Sequence, residues 1–259
     1  MGVVDRWNRW ITEKRGERLH YLDVSERENV EEEAVVVPEI VQPLGELQFE
    51  LTGFIEQVAG STKTVTMVLT DPEELCFTRP EWLFGLPHAS FKTMLEDGAI
   101  VDTRNTARRA ILDWLPLLAP YQHHPAAGYL LENLGRAAPD EIWAHHRQRL
   151  ALIVAERHTR VRPHDMALCT AAMNRSWAIV ALRSAVGVRV GVPAWLGLSA
   201  LAFAYLPTVA AVILSLLALP LSLVFVGGTA ARYWPYPPRP PTELLGVAAD
   251  RGQDGKLLQ

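Results

Sequence analysis

The sequence predicts an α+β fold: an antiparallel β-meander of four or five strands, then helices, then a C-terminal transmembrane helical hairpin. Three observations carry this expectation. Apolar residues alternate with period two between residues 47 and 103, helical periods follow, and residues 190–228 hold no charged side chain. The 259 residues have 21% charged side chains, a formal net charge of −4 and a mean hydropathy of +0.07. That average lies between those of a soluble domain and a polytopic membrane protein, so the apolar residues must be concentrated in one place.

Residues 1–45 read as an N-terminal amphipathic helix and an acidic linker. Val4, Trp7, Trp10 and Ile11 stand at helical spacing among Arg6, Arg9, Lys14, Arg15 and Arg18. This pattern suits either a helix lying on a membrane surface or one packed on the protein's own core. Charge follows the first residues directly, so a secretory signal is not expected. The run Glu26, Glu28, Glu31, Glu32 and Glu33 is expected to be a solvated linker.

Residues 46–104 read as the sheet. Leu47, Phe49 and Leu51 alternate with Gln48, Glu50 and Thr52, and the pattern resumes over residues 64–70 after a turn at Ala59-Gly60-Ser61. This is a hairpin. Further strands are expected over 75–78, 89–95 and 99–103, with Asp97-Gly98 as a two-residue turn. Strict alternation predicts one apolar and one wet face, with the following helices covering the apolar one.

Residues 105–189 read as a helical region that becomes basic toward the membrane. One helix is expected from Asn105 to about Leu118, a second from Pro139-Asp140-Glu141 toward His158, and a third opening at Pro163-His164-Asp165 and running through Trp177. Arg136, Arg147, Arg149, Arg157, Arg160, Arg162, Arg175, Arg183 and Arg189 face only Asp140, Glu141, Glu156 and Asp165. Such an excess beside a membrane favours anionic lipid headgroups over nucleic acid, for which no aromatic interleaving or known module is seen.

Residues 190–228 read as the hairpin. One straight helix of that length would span about 57 Å, roughly twice a hydrocarbon core, whereas Pro207 divides the run into two arms of spanning size. Arginines flank both arms and none lies in the turn, so both termini are expected in the cytoplasm. Trp177, Arg183, Arg189 and Trp195 on the entry side, with Arg232, Tyr233 and Trp234 on the exit side, are the expected interface anchors. A re-entrant loop and a buried soluble hairpin are the alternatives. Residues 229–259 read as a Pro-rich cytoplasmic tail of extended, polyproline-like chain.

Little chemistry is offered. Cys76 and Cys169 occupy a strand and an apolar helix position, where thiols act as small hydrophobes. No nucleophile elbow, phosphate-binding glycine loop or dinucleotide fingerprint occurs. His123, His124, His145 and His146 invite a metal, but adjacent helical histidines point about 100° apart and no second motif fixes their geometry. No catalytic residue, cofactor or metal is therefore expected. The expected function is that of a membrane-anchored, non-catalytic scaffold or accessory subunit. Its expected partners are the lipid bilayer and either another protein or further copies of itself. The alternatives are a membrane-perturbing effector whose hairpin oligomerises through Gly197, Ala200, Ala202 and Ala204 or through Ala210 and Ala211, and a membrane-tethered metal-dependent hydrolase.

Overall fold

The computed structural model describes residues 19–83, 86–105 and 128–233. The expected helix within 1–18, and that from Asn105 to about Leu118 in all but its first residue, thus fall outside the described residues, as do His123, His124, Trp234 and the tail.

The architecture is α+β, a curled sheet followed by helices, with two apolar helices at the end. Ten strands are described, more than the four or five expected. β1 is Leu19–Asp23, β2 Ala34–Val35, β3 Glu50–Ala59, β4 Thr62–Thr70, β5 Phe77–Thr78, β6 Glu81–Leu83, β7 Leu86–His88, β8 Ser90–Met94, β9 Ile100–Arg104 and β10 Tyr129–Asn133. The main sheet runs β1-β3-β4-β5-β8-β9-β10, with β2 added on β4, while β6 and β7 form a separate ribbon. The meander from β3 to β9 is antiparallel as expected, but β9–β10 and β2–β4 are parallel pairs.

The two expected turns have clear causes. Ala59 pairs with Thr62 around Gly60-Ser61, and Leu95 accepts from the Gly98 amide; both glycines sit at positive φ, 62° and 81°. The missed strands also have causes. In β1 only Tyr21 is buried, so its alternation is faint. In β10, Tyr129, Leu130 and Leu131 are all buried, and a short continuous apolar run has no period to separate strand from helix.

The helices are α1 (Val30–Glu33), α2 (Pro38–Glu46), α3 (Pro139–Arg157), α4 (Met166–Tyr205), α5 (Thr208–Leu221) and, after a π-helical segment at Ser222–Gly227, α6 (Gly228–Tyr233). β1, α1, β2 and most of α2 thus occupy the region in which an acidic linker was expected. Both long predicted helices start on sequence signals. The Glu141 carboxylate accepts the Ala138 amide at 3.1 Å ahead of α3, and the Asp165 carboxylate accepts the Leu168 amide at 2.7 Å ahead of α4.

The sheet is covered on both faces, so the wet face expected from alternation is absent over its centre. Phe91, Leu95, Val101 and Leu130 pack with residues of α3 on one side, while Ile55, Val68, Met94, Ile100 and Leu131 pack with Leu168, Ala172 and Met173 of α4 on the other. Gly53 permits the close approach of α4: a Cβ there would lie 2.9 Å from the Met166 sulfur and 2.3 Å from Ser25 Oγ. Asn174 then closes the sheet edge. Its side-chain oxygen accepts the Tyr21 amide and its NH₂ donates to the Tyr21 carbonyl, both at 2.9 Å, so one helical side chain replaces a neighbouring strand. These contacts order Gly53 with Met166 and Tyr21 with Asn174, so α4 runs in the direction of β3 and against β1.

Candidate functional site

The candidate site is the apolar hairpin and the helix that joins it to the sheet. α4 is 40 residues long and continuous. Its first half supplies the buried face described above, and its second half leaves the sheet without a linker. Pro193 lies inside it, and Leu206 breaks it with an extended backbone before Pro207 opens α5. Two helical stretches are long and apolar enough to cross a membrane: Met166–Tyr205, with hydropathy 1.5, and Thr208–Ala230, with hydropathy 2.7.

Which side chains the two arms display is more informative than their hydropathy. Among the described residues, sixteen of the 22 exposed large apolar side chains fall between positions 188 and 226, including Leu201, Phe203, Ile213, Leu216 and Phe225. The buried positions between the arms are small: Gly191, Ala202, Ala211, Ser215, Ala218, Ser222 and Gly227. A hairpin built for water would bury its leucines; one built for hydrocarbon gains nothing by doing so and packs through small residues.

The tightest approach is at the root. A Cβ on Gly227 would lie 2.3 Å from the Gly187 carbonyl oxygen, and one on Gly191 would lie 2.9 Å from the Leu223 Cα. Gly187 and Gly191 form a G-x-x-x-G pair, a signal present in the sequence but missing from the expected set. At Gly197, by contrast, an added Cβ would meet nothing within 4 Å. Further along, the Trp195 indole donates to the Ser215 carbonyl at 2.8 Å. That carbonyl lies on the turn N-terminal to Pro220, and Pro220 itself offers no amide to its helix.

The expected anchors separate by role. Trp195 is half-buried and ties the arms together, and Trp177 is half-buried against the main core beside the sheet. Arg189 is exposed one residue before the uncharged run. Arg183 stands on α4, and Arg232 and Tyr233 stand on α6.

The sheet interior holds a second polar constellation. Lys92 Nζ donates to Asp102 Oδ2 at 2.5 Å and to Ser90 Oγ; Ser90 Oγ donates to Asp102 Oδ1 at 2.8 Å, and the Tyr129 hydroxyl donates to Asp102 Oδ2 at 2.6 Å. Burial alone would raise the Asp102 carboxyl, but the charges of Lys92 and Arg104 and the bonds from Lys92 and Tyr129 hold it far below the usual carboxylate range. Burial likewise depresses Lys92 despite its partner. Nearby, the Arg79 guanidinium bonds Glu81, donates to Gln57 at 3.0 Å and lies 5.0 Å over the Tyr21 ring. Such a set, each charge answered by its neighbours inside a packed sheet, clamps strands together.

The histidines part as helical geometry requires. His146 is fully buried between Thr93 and Thr103, at 3.0 and 2.9 Å from their hydroxyls, while its neighbour His145 points the other way, to Glu132 at 3.1 Å. No group of three or more His, Cys, Asp or Glu side chains able to hold a metal occurs among the described residues. Both cysteines are buried, and burial raises both thiols. No protein-family model, curated protein or solved structure matches the chain.

Two outcomes follow from this geometry. Gly227→Ala should lower the thermal midpoint of the detergent-solubilised protein by several degrees, because the backbone at Gly187 has to move, whereas Gly197→Ala should leave it within a degree or so. Equal effects of the two substitutions would show that the root contact is not formed.

The second outcome concerns acid. Burial holds His146 down at about 3 and His88 and His164 at about 4, against about 6.5 for an unfolded histidine. The unfolded chain therefore takes up protons first as pH falls. The stability these groups leave intact above about pH 6.5 should be lost on the way down to pH 4, at roughly 1.4 kcal/mol per pH unit for each histidine. Asp102 adds to the loss only below about pH 4. Urea titrations at pH 7 and pH 5 measure this, and His146→Gln should reduce the slope by about a third.

Proposed function

We propose that the chain is a non-catalytic membrane-anchored scaffold or accessory subunit. Its hairpin is inserted in the bilayer, its α+β part lies in the cytoplasm, and a protein partner or further copies of the chain meet that part. The observation that carries this reading is the inside-out distribution of size in the hairpin: small residues hidden, large apolar residues displayed over both arms. Such a surface is costly in water and costs nothing in hydrocarbon, which supports the reading.

Orientation is argued from charge. Arg183 and Arg189 precede the first arm and Arg232 follows the second, while the tip, residues 205–208, is Tyr-Leu-Pro-Thr. Carrying an arginine to the bilayer centre costs about 2.5 to 3.5 kcal/mol on insertion scales, so the tip crosses and both roots remain on the cytoplasmic side. From Val190 to Tyr205 the first arm is 16 residues, about 24 Å, a few ångströms short of a typical hydrocarbon core. An arginine stem at position 189 is long enough to bridge the difference, and Tyr205, 82% exposed, stands at the far end of the arm.

The non-catalytic part of the reading is supported by the polar constellation. Lys92, Asp102, Ser90 and Tyr129 are all buried and mutually bonded, as structural groups are.

Reporter fusions after residue 259 and within residues 205–208 test the topology. A reporter active only in the cytoplasm is expected to be on at residue 259 and off at the tip. The opposite sidedness of the two termini would leave a single span and defeat the hairpin. Purification in mild detergent with crosslinking tests the scaffold. A defined companion or oligomer is expected, and a lone monomer under all crosslinking conditions would count against it.

A further inference from the structure

α3 is apolar on two sides. Ile142, Leu150, Ile153 and Val154 pack toward the sheet, as a covering helix requires, but Ala144, Ala151, Leu152 and Ala155 fall on the opposite side and are exposed. Leu152 is 72% exposed, more than any other large apolar side chain described outside the hairpin. A covering helix normally carries charge on that side. Here two exposed charges border the stripe, Arg147 and Glu156, with Ala151 and Leu152 midway between them. At about 100° per residue the two stand on opposite flanks. Arg147 lies against the Trp143 ring, and neither charge enters an ion pair with another described residue.

Such a surface matches itself. A two-fold axis through the midpoint between Ala151 and Leu152, at right angles to the line from Arg147 to Glu156, sets each arginine against the glutamate of a second copy and each Leu152 among that copy's alanines. We infer that the outward face of α3 is the contact between two copies of this chain. The direction of α3 lets both copies share one membrane. Trp143 stacks on Phe91 and His146 bonds Thr93, so α3 follows β8. β8 lies three strands from β3, whose direction α4 takes, and neighbouring strands turn by about 20–25°, so α3 crosses α4 at roughly 70°. An axis across α3 therefore stands near the direction of α4, and the two hairpins enter the bilayer side by side. This common orientation rests on the inserted hairpin proposed above. Confinement of both copies to one plane raises their effective concentration, which favours pairing through a small patch.

The test uses the full chain with Ala151→Cys, reconstituted at low density in phosphatidylcholine vesicles and oxidised with copper phenanthroline. Cys76 and Cys169 are buried, so the unsubstituted chain should stay monomeric and serves as the blank. Lys63→Cys, exposed on β4 away from α3, reports chance collision. Ala151→Cys is expected to give severalfold more disulfide-linked dimer than Lys63→Cys. Adding Arg147→Glu should bring the yield down to the collision level, and adding Glu156→Arg to that variant should restore it, a rescue that misfolding cannot produce. Equal yields at positions 151 and 63, or a yield at 151 that the charge changes leave unmoved, would overturn the inference. Leu216→Cys with a membrane-impermeant maleimide reports the hairpin separately. Rapid labelling there would defeat the inserted hairpin, and crosslinking at position 151 with its charge-swap rescue would still decide whether the two copies meet through α3.

Discussion

On the proposed reading, one helix has to satisfy two solvents. Over its first turns α4 presents Leu168, Cys169, Ala172 and Met173 to the sheet in the ordinary way, large and apolar inward. Beyond position 190 the rule inverts, and Leu196, Leu198, Leu201 and Phe203 point outward while Gly191 and Ala202 point to the second arm. No loop separates the two regimes. The position of the sheet domain relative to the hairpin is therefore set by helical geometry, and anything that tilts one tilts the other. The Gly187–Gly227 contact and the Trp195–Ser215 bond hold the return arm to the same rod.

A rod of this kind can orient a domain only if the domain itself resists deformation. The sheet meets that demand with interior charge. Lys92 and Asp102 lie on the face that α4 covers, and breaking one partner of such a pair typically costs about 3–5 kcal/mol because the other charge remains buried. On the opposite face, Arg149 of α3 donates to the carbonyls of Asp102 and Leu130 and to Thr103 Oγ1, so that one guanidinium spans β9 and β10. The parallel β9–β10 pair is the last in the sheet, and α3 secures it through this side chain and through His146. The same strands are thus locked on one face by their own charge pair and on the other by a helix.

How legible this was in the sequence depends on the range of each determinant. The β3–β4 and β8–β9 hairpins were readable because Gly60 and Gly98 mark turns between alternating runs, all within about twenty residues. The starts of α3 and α4 were readable because Glu141 and Asp165 cap locally. β1 was not, because with only Tyr21 buried its alternation is faint, and its partners, β3 and then Asn174 some 150 residues away, are not local. β10 was hidden by its continuous apolar run, and the second covered face by charges that alternation reads as wet: nothing local says that Lys92 will meet Asp102. In the hairpin, the absence of charge was plain from composition. The distinction between Gly227, pressed on a carbonyl, and Gly197, open on every side, needed the register of the two arms.

The continuity of α4 is the most direct point of attack. Spin labels at Ala167 and Leu201, both exposed positions, are separated by 34 residues of one helix, about 51 Å. Pulsed dipolar EPR on the full chain in lipid nanodiscs should give a single narrow distance distribution near 50 Å. A broad distribution, or one centred well below 40 Å, would mean that the sheet domain and the hairpin are joined by a bend or a hinge, and the account of one rod shared by two solvents would fall.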